Sequence, residues 1–128
     1  MKFASRVYLA AGIIGLIEIV PMYFMESLLG RMYPPEFTHP EIYYGFVGVT
    51  LAWQVLFLML ARDPVRYRAL MLPTMLEKAV YVVAASVLLA QDRMAPGLMG
   101  PVFVDAILGT LFVISYVRTA PKTGTQES

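Results

Sequence analysis

The sequence contains no cysteine and no asparagine, and its only histidine is His39. Without cysteine it has no disulfide framework, no thiolate nucleophile and no Cys-ligated zinc or iron–sulfur centre. A single histidine cannot supply the two imidazoles of a bis-histidine haem or metal site, and without asparagine there is no N-glycosylation acceptor. We therefore expect neither a metal centre nor a bound cofactor.

Charged residues are also scarce. They make up 15% of the 128 residues, whereas hydrophobic residues make up 59%. A soluble domain carries roughly 25% charged residues, so this chain has too little polar surface for a water-facing globule. The net charge of +1 is not gathered into a basic stripe, and we therefore expect no nucleic-acid partner.

The sequence contains four long apolar stretches. They lie at about residues 7–28, 41–61, 69–90 and 98–117. Each is close to the ~20 residues that cross hydrocarbon as a helix, and none alternates polar and apolar residues as a barrel strand would. The sequence predicts an all-α fold, a four-helix transmembrane bundle over residues 1–118, followed by a polar cytoplasmic tail at 119–128.

Lysine and arginine are distributed unequally between the two ends of these predicted helices. One side has only Arg31 and Arg93, and the other has Lys2, Arg6, Arg62, Arg66, Arg68, Arg118 and Lys122. The positive-inside rule predicts that the basic side, with both termini, is cytoplasmic. We expect a multi-pass protein of a bacterial inner membrane, or of the endoplasmic reticulum if the source is eukaryotic. We expect the basic loop 62–68 to determine this topology. Binding of anionic lipid headgroups is an alternative role for the loop.

Five polar residues lie inside the predicted helices, at depths of about 12–20 Å from the arginines at the helix ends. They are Glu18, Gln54, Glu77, Lys78 and Asp105. Because an ionisable group costs about 2.5–3.5 kcal/mol at the centre of a membrane helix, we expect all five to face inward around a common cavity. Adjacent residues point about 100° apart on a helix, so Lys78 is expected to pair with Glu18 or Asp105 rather than with Glu77.

This polar layer has two interpretations. It is either a buried network that fixes helix register or a site for a ligand or a proton. Three carboxyls and one ammonium leave a negative excess, so we expect a protonated carboxyl, a bound cation or a water-filled path. Glu26, beside the aromatic outer loop, either faces water or lines the mouth of the cavity. The candidate ligand-binding residues are Glu18, Glu26, Gln54, Glu77, Lys78 and Asp105.

Residues 20–37, VPMYFMESLLGRMYPPEF, and 51–60, LAWQVLFLML, resemble the EXPERA family, which includes the sigma-2 receptor and the emopamil-binding sterol isomerases. The resemblance implies four helices with cytoplasmic ends and an intramembrane cavity for hydrophobic amines or sterols, bound by acids of helices 1 and 2. Glu26 takes the place of the helix 1 acid, whereas Thr50 stands where the helix 2 acid is expected, with Gln54 one turn further. By architecture, a DoxX-like four-helix membrane protein is a comparable match.

The expected function is the binding of a membrane lipid or another hydrophobic small molecule in an intramembrane polar cavity. Acid–base chemistry stays open, because carboxyls alone can move protons. One alternative is a proton-coupled exporter of the small multidrug type, in which a midplane glutamate of helix 1 exchanges protons for a cationic drug. Another is an accessory subunit of a larger membrane complex, and a homodimer is also open.

Overall fold

The computed structural model describes residues 2–121, and every regular element in that range is helical. The five α-helices are α1 (Lys2–Ile19), α2 (Glu26–Met32), α3 (Pro40–Arg62), α4 (Met71–Ala90) and α5 (Met99–Arg118). With the short 3₁₀ turns beside them they form four segments that are long and apolar enough to cross a membrane: Lys2–Phe24, Pro40–Arg62, Arg68–Ala90 and Pro96–Arg118. The predicted all-α fold is confirmed, and the chain is a small integral membrane protein. Of the predicted polar tail at 119–128, residues 122–128 lie outside the described residues.

Pro21 interrupts the first membrane segment. α1 ends at Ile19, a 3₁₀ turn runs over Val20–Phe24, and α2 begins at Glu26 after Met25, which has a non-helical backbone. Proline has no N–H to donate to the preceding turn, so an α-helix cannot continue through it unchanged. The sequence predicts a single helix over residues 7–28, bent at Pro21. In the structure Glu26 instead opens a separate short helix.

The helices form two pairs. α1 packs along α3, α4 packs along α5, and α1 also contacts α5. We call the end of the bundle where α1 begins and α5 ends the terminal end. The opposite end, with α2 and the loop between α4 and α5, is the distal end. The two pairs are joined mainly in the terminal half of the bundle.

Aromatic side chains join all four membrane helices in the terminal half. The ring of Tyr8 stacks on Phe112 with 4.3 Å between centroids, and Phe112 meets Phe57 edge to face at 5.1 Å. The Tyr8 hydroxyl and the Thr74 hydroxyl are 2.8 Å apart and share a hydrogen bond. These four side chains are buried. Stacked and edge-to-face rings are favourable geometries, so this cluster holds the terminal half together.

The bundle opens in the distal half. Ala4, Ala11 and Glu18 lie seven residues apart and therefore share one face of α1. Ala4 and Ala11 are 0% and 1% exposed, whereas Ile14, on the same face, is 36% exposed and Glu18 is also exposed. α1 still packs on α3 at this level through a separate cluster centred on Ile19, Tyr43 and Val47. The opening therefore lies on the other side of α1, away from α3.

Gln54 is packed between α1 and α3 because two glycines of α1 leave room for it. A Cβ atom at Gly15 would overlap the side-chain amide of Gln54, and one at Gly12 would lie 3.2 Å from the Gln54 backbone carbonyl oxygen. Gln54 itself is only 2% exposed, so its side chain has no free space into which to move. Small residues of this kind let two membrane helices approach closely.

Gly15→Ala is expected to destabilise the bundle by about 1–3 kcal/mol, the usual cost of overpacking a filled interior. The measurement is the free energy of unfolding in a mixed-micelle denaturant titration. Gly45→Ala is the matched control, because a Cβ atom there meets nothing within 4 Å. The double variant Gly15→Ala with Gln54→Ala should recover most of the loss, and a G15A loss that persisted in it would contradict this packing.

Candidate functional site

Lys78 is the centre of the polar cluster inside the membrane. It is a buried residue of α4, and its ammonium Nζ donates a hydrogen bond to Oδ1 of Asp105 on α5 over 3.0 Å. The same Nζ lies 3.6 Å from Oε1 of Glu77 and 5.3 Å from the centroid of the Phe57 ring on α3. A charge-assisted hydrogen bond and a cation–π contact are both favourable where water is excluded. One ammonium therefore links three helices.

Gly109 of α5 allows the Lys78 side chain to pass between α4 and α5. A Cβ atom at Gly109 would lie 3.1 Å from the Cβ atom of Lys78, closer than ordinary van der Waals contact. The missing side chain gives the lysine stem its path, and Asp105 lies one turn away on the same helix. The local sequence DAILG of α5, residues 105–109, thus provides both the counter-ion and the space.

Of the two partners predicted for Lys78, Glu18 and Asp105, the structure pairs it with Asp105, but the expectation that it does not pair with Glu77 is wrong. The 100° angle between neighbours describes where the side chains leave the helix, and both of these side chains are long. The flexible four-carbon stem of lysine can bring its ammonium back towards the adjacent carboxyl. Within residues 2–121, the buried Oε1 of Glu77 makes no hydrogen bond, so Lys78 is the charge that offsets this atom.

Glu18 joins the cluster from α1 without pairing in it. It is exposed at the distal opening, and the charges of Asp105 and Lys78 act on it through space. Both ion pairs within the described membrane segments use Lys78, and neither uses Glu18. Two carboxyl groups therefore contact the ammonium, and a third, that of Glu18, is exposed and within Coulombic range of it.

Gln54 and Glu26 lie apart from this cluster. The Gln54 amide donates from Nε2 to the Thr50 carbonyl oxygen over 2.8 Å, and its Oε1 has no partner among the described residues. Glu26, at the distal end, accepts a hydrogen bond of 3.1 Å from the Tyr44 hydroxyl. The single cavity predicted for all the polar residues is thus divided, with Glu18, Glu77, Lys78 and Asp105 together and the other two elsewhere.

Tyr81 belongs near the cluster and was not among the predicted site residues. It is 37% exposed, and the charges of Asp105 and Glu18 both act on it. Its position three residues after Lys78 puts it on the same face of α4. The three-residue spacing from Lys78 can be read from the sequence and could have indicated Tyr81. An aromatic residue in a membrane helix is, however, ordinarily interpreted as a packing residue.

An apolar groove runs along the α4–α5 pair and is lined in part by the same ion pair. Its volume is about 350 Å³, and Lys78 and Asp105 contribute to its lining. The other lining residues are almost all small or aliphatic, and include Met75, Ala79, Val82, Ala106, Gly109 and Val113. We call this the α4–α5 groove. Within residues 2–121 no group of three or more acidic or histidine side chains is arranged to hold a metal ion.

Lys78→Met is expected to lower the free energy of unfolding by about 3–5 kcal/mol, because it leaves two carboxyls beside each other without their cation. The double variant Lys78→Met with Asp105→Leu removes both charges of the closest pair, and should recover a large part of the loss. The measurement is again unfolding in mixed micelles. Equal instability of the single and double variants would mean that the charge pair itself is not what stabilises this region.

Comparisons with protein-family models, with curated proteins and with solved structures find no match for this chain. The resemblance to the EXPERA family and the DoxX-like alternative therefore stay predictions. The candidate site rests on its own geometry, an acidic cluster around one buried ammonium beside an apolar groove.

Proposed function

We propose that this protein binds a lipid or another hydrophobic small molecule inside the membrane, with the apolar part of the ligand in the α4–α5 groove. The observation that carries the proposal is the position of the Lys78–Asp105 pair in the lining of that groove. Ligand sites are commonly concave, about 300–1,000 Å³ in volume, mostly apolar, and supplied with a few polar groups that orient the ligand. The groove has each of these properties.

The charge of the cluster favours a ligand with a cationic or hydrogen-bond-donating end. Lys78 offsets at most one of the carboxylates of Glu18, Glu77 and Asp105, so the fully ionised cluster carries a charge of about −2, and a low-dielectric interior tolerates such an excess poorly. A protonated amine, or a hydroxyl that donates a hydrogen bond, would lower this cost. A ligand with an anionic end would raise it.

Glu18 is the residue through which such a preference would act. It is exposed, it lies within Coulombic range of Asp105 and Lys78, and it takes part in neither ion pair of the cluster. A carboxylate at this depth is costly unless something compensates it. The EXPERA resemblance also implies a hydrophobic amine or a sterol as ligand, although it assigns the acidic role to Glu26.

Ala79→Leu is expected to weaken ligand binding by roughly tenfold or more, because the larger side chain fills part of the groove and extra volume in a filled site costs about 1–3 kcal/mol. Ala84→Leu is the matched control, since Ala84 is an exposed alanine of the same helix and does not line the groove. The measurement is binding of dodecylamine and dodecanol to protein in nanodiscs, followed as the shift in thermal unfolding midpoint. Equal effects of the two substitutions would contradict binding in the groove.

Glu18→Gln is expected to remove the preference for an amine over an alcohol of equal chain length. In the wild-type protein we expect dodecylamine to bind about tenfold more tightly than dodecanol, because only the amine carries a charge that the carboxylates attract. Glu26→Gln is the control, since this acid lies beyond the end of the same membrane segment, is hydrogen-bonded to Tyr44 and is outside the cluster.

Retention of the full amine preference in the Glu18→Gln variant, or its loss in the Glu26→Gln variant, would contradict the role assigned to Glu18. In the second case the helix 1 acid implied by the EXPERA resemblance would be the functional one. Binding of neither probe by the wild-type protein would leave the polar cluster with a role in holding the helices together, and the proposed function would be wrong.

A further inference from the structure

A second pocket lies at the terminal end, far from the polar cluster. Its volume is about 340 Å³, and it is formed where the first turns of α1 meet the end of α3. The Ser5 hydroxyl donates a hydrogen bond of 2.5 Å to the Ala61 carbonyl oxygen, which ties the two helices together beside the pocket. The lining residues are Lys2, Ser5, Arg6, Arg62, Asp63 and Pro64.

This pocket is lined by basic side chains that have no ion-pair or aromatic partner elsewhere on the described chain. Other arginines of the terminal end rest on aromatic rings: the guanidinium of Arg68 is 3.7 Å from the Tyr116 ring centroid, and that of Arg118 is 4.4 Å from the Phe3 centroid. The three cations of the pocket, by contrast, have no ion-pair or aromatic partner among residues 2–121. They are Lys2, Arg6 and Arg62.

The one acidic side chain of the pocket, that of Asp63, accepts a hydrogen bond from the backbone. Oδ1 of Asp63 accepts a hydrogen bond of 3.3 Å from the Arg66 backbone N–H. Three positive charges therefore face one carboxylate, and the pocket attracts an anion. The N-terminal turn of α1 presents the positive end of a helix dipole to the same space and the end of α3 presents a negative one, so the attraction comes from the side-chain charges.

The position of the pocket indicates which anion it meets. Lys2 is the first residue of the membrane segment Lys2–Phe24, and Arg62 is the last residue of Pro40–Arg62, so the pocket lies at the level of lipid headgroups. The unequal distribution of lysine and arginine predicts that this end is cytoplasmic, and that leaflet carries anionic lipid. We propose that the pocket of Lys2, Arg6 and Arg62 binds the phosphate of an anionic phospholipid headgroup.

The test is the affinity of the first bound lipid, measured by native mass spectrometry of the detergent-solubilised protein titrated with phosphatidylglycerol or phosphatidylcholine. Wild-type protein should bind phosphatidylglycerol more tightly. Arg6→Gln with Arg62→Gln should weaken that binding about fivefold for each charge removed, since one basic residue near a membrane surface contributes about 1 kcal/mol. Arg66→Gln with Arg118→Gln removes the same charge from the same end, outside the pocket, and should have little effect.

Asp63→Asn separates a binding effect from a folding defect. Asparagine keeps an oxygen that can accept the Arg66 N–H bond, and it removes the one negative charge of the pocket. Phosphatidylglycerol binding should therefore become tighter, by up to about fivefold, which damage to the fold would not produce.

Three results would overturn the proposal. Equal weakening by the two double-arginine variants would mean that lipid responds only to the overall charge of this end. Equal affinity of the wild-type protein for phosphatidylglycerol and phosphatidylcholine would mean that the headgroup charge is not recognised. Complete competition by inorganic phosphate, at a concentration equal to that of the lipid, would identify a free-anion site and not a lipid site.

Discussion

Hydrocarbon cannot solvate an ionised side chain, and the arrangement of this bundle depends on how it meets that constraint at Lys78. The lysine is buried between α4 and α5, where Gly109 leaves room for its stem. Its ammonium reaches Asp105 and Glu77 and lies near the ring of Phe57. Burying a charge costs several kcal/mol unless partners compensate it, so the helices that supply those partners are held in one register.

The compensation of charge is incomplete on the acidic side of the cluster, and the proposal of a ligand site depends on this. A purely structural network is most stable when every buried charge and polar atom has a partner. Here Glu18 faces an open space, and Oε1 of Glu77 makes no hydrogen bond within the described chain. An excess of carboxyl groups next to an apolar groove does not by itself stabilise a fold, and this is why we propose a ligand there.

Hydropathy and the cost of buried charge were enough to predict the four membrane helices and to limit the partner of Lys78 to Glu18 or Asp105. Depth along a helix follows from residue number at 1.5 Å per residue, which is why the polar residues could be assigned to one level. The direction in which each residue faces depends on helix packing, and residue counting does not provide it. Gln54 thus lies between α1 and α3 over Gly15, and Glu26 lies beyond the break at Pro21.

The two halves of the bundle differ in their packing and in the exposure of their side chains. The terminal half is joined by the ring cluster of Tyr8, Phe57 and Phe112, and its rim carries the pocket of Lys2, Arg6 and Arg62. Towards the distal end, Glu18 of α1 and Tyr81 of α4 are exposed. Because the α4–α5 groove lies between two helices that are apolar enough to cross a membrane, the proposed hydrophobic ligand would reach it sideways from the membrane, after it had already left water. Apolar contact in the groove then adds little free energy, and the charge of the cluster has to provide most of the selectivity.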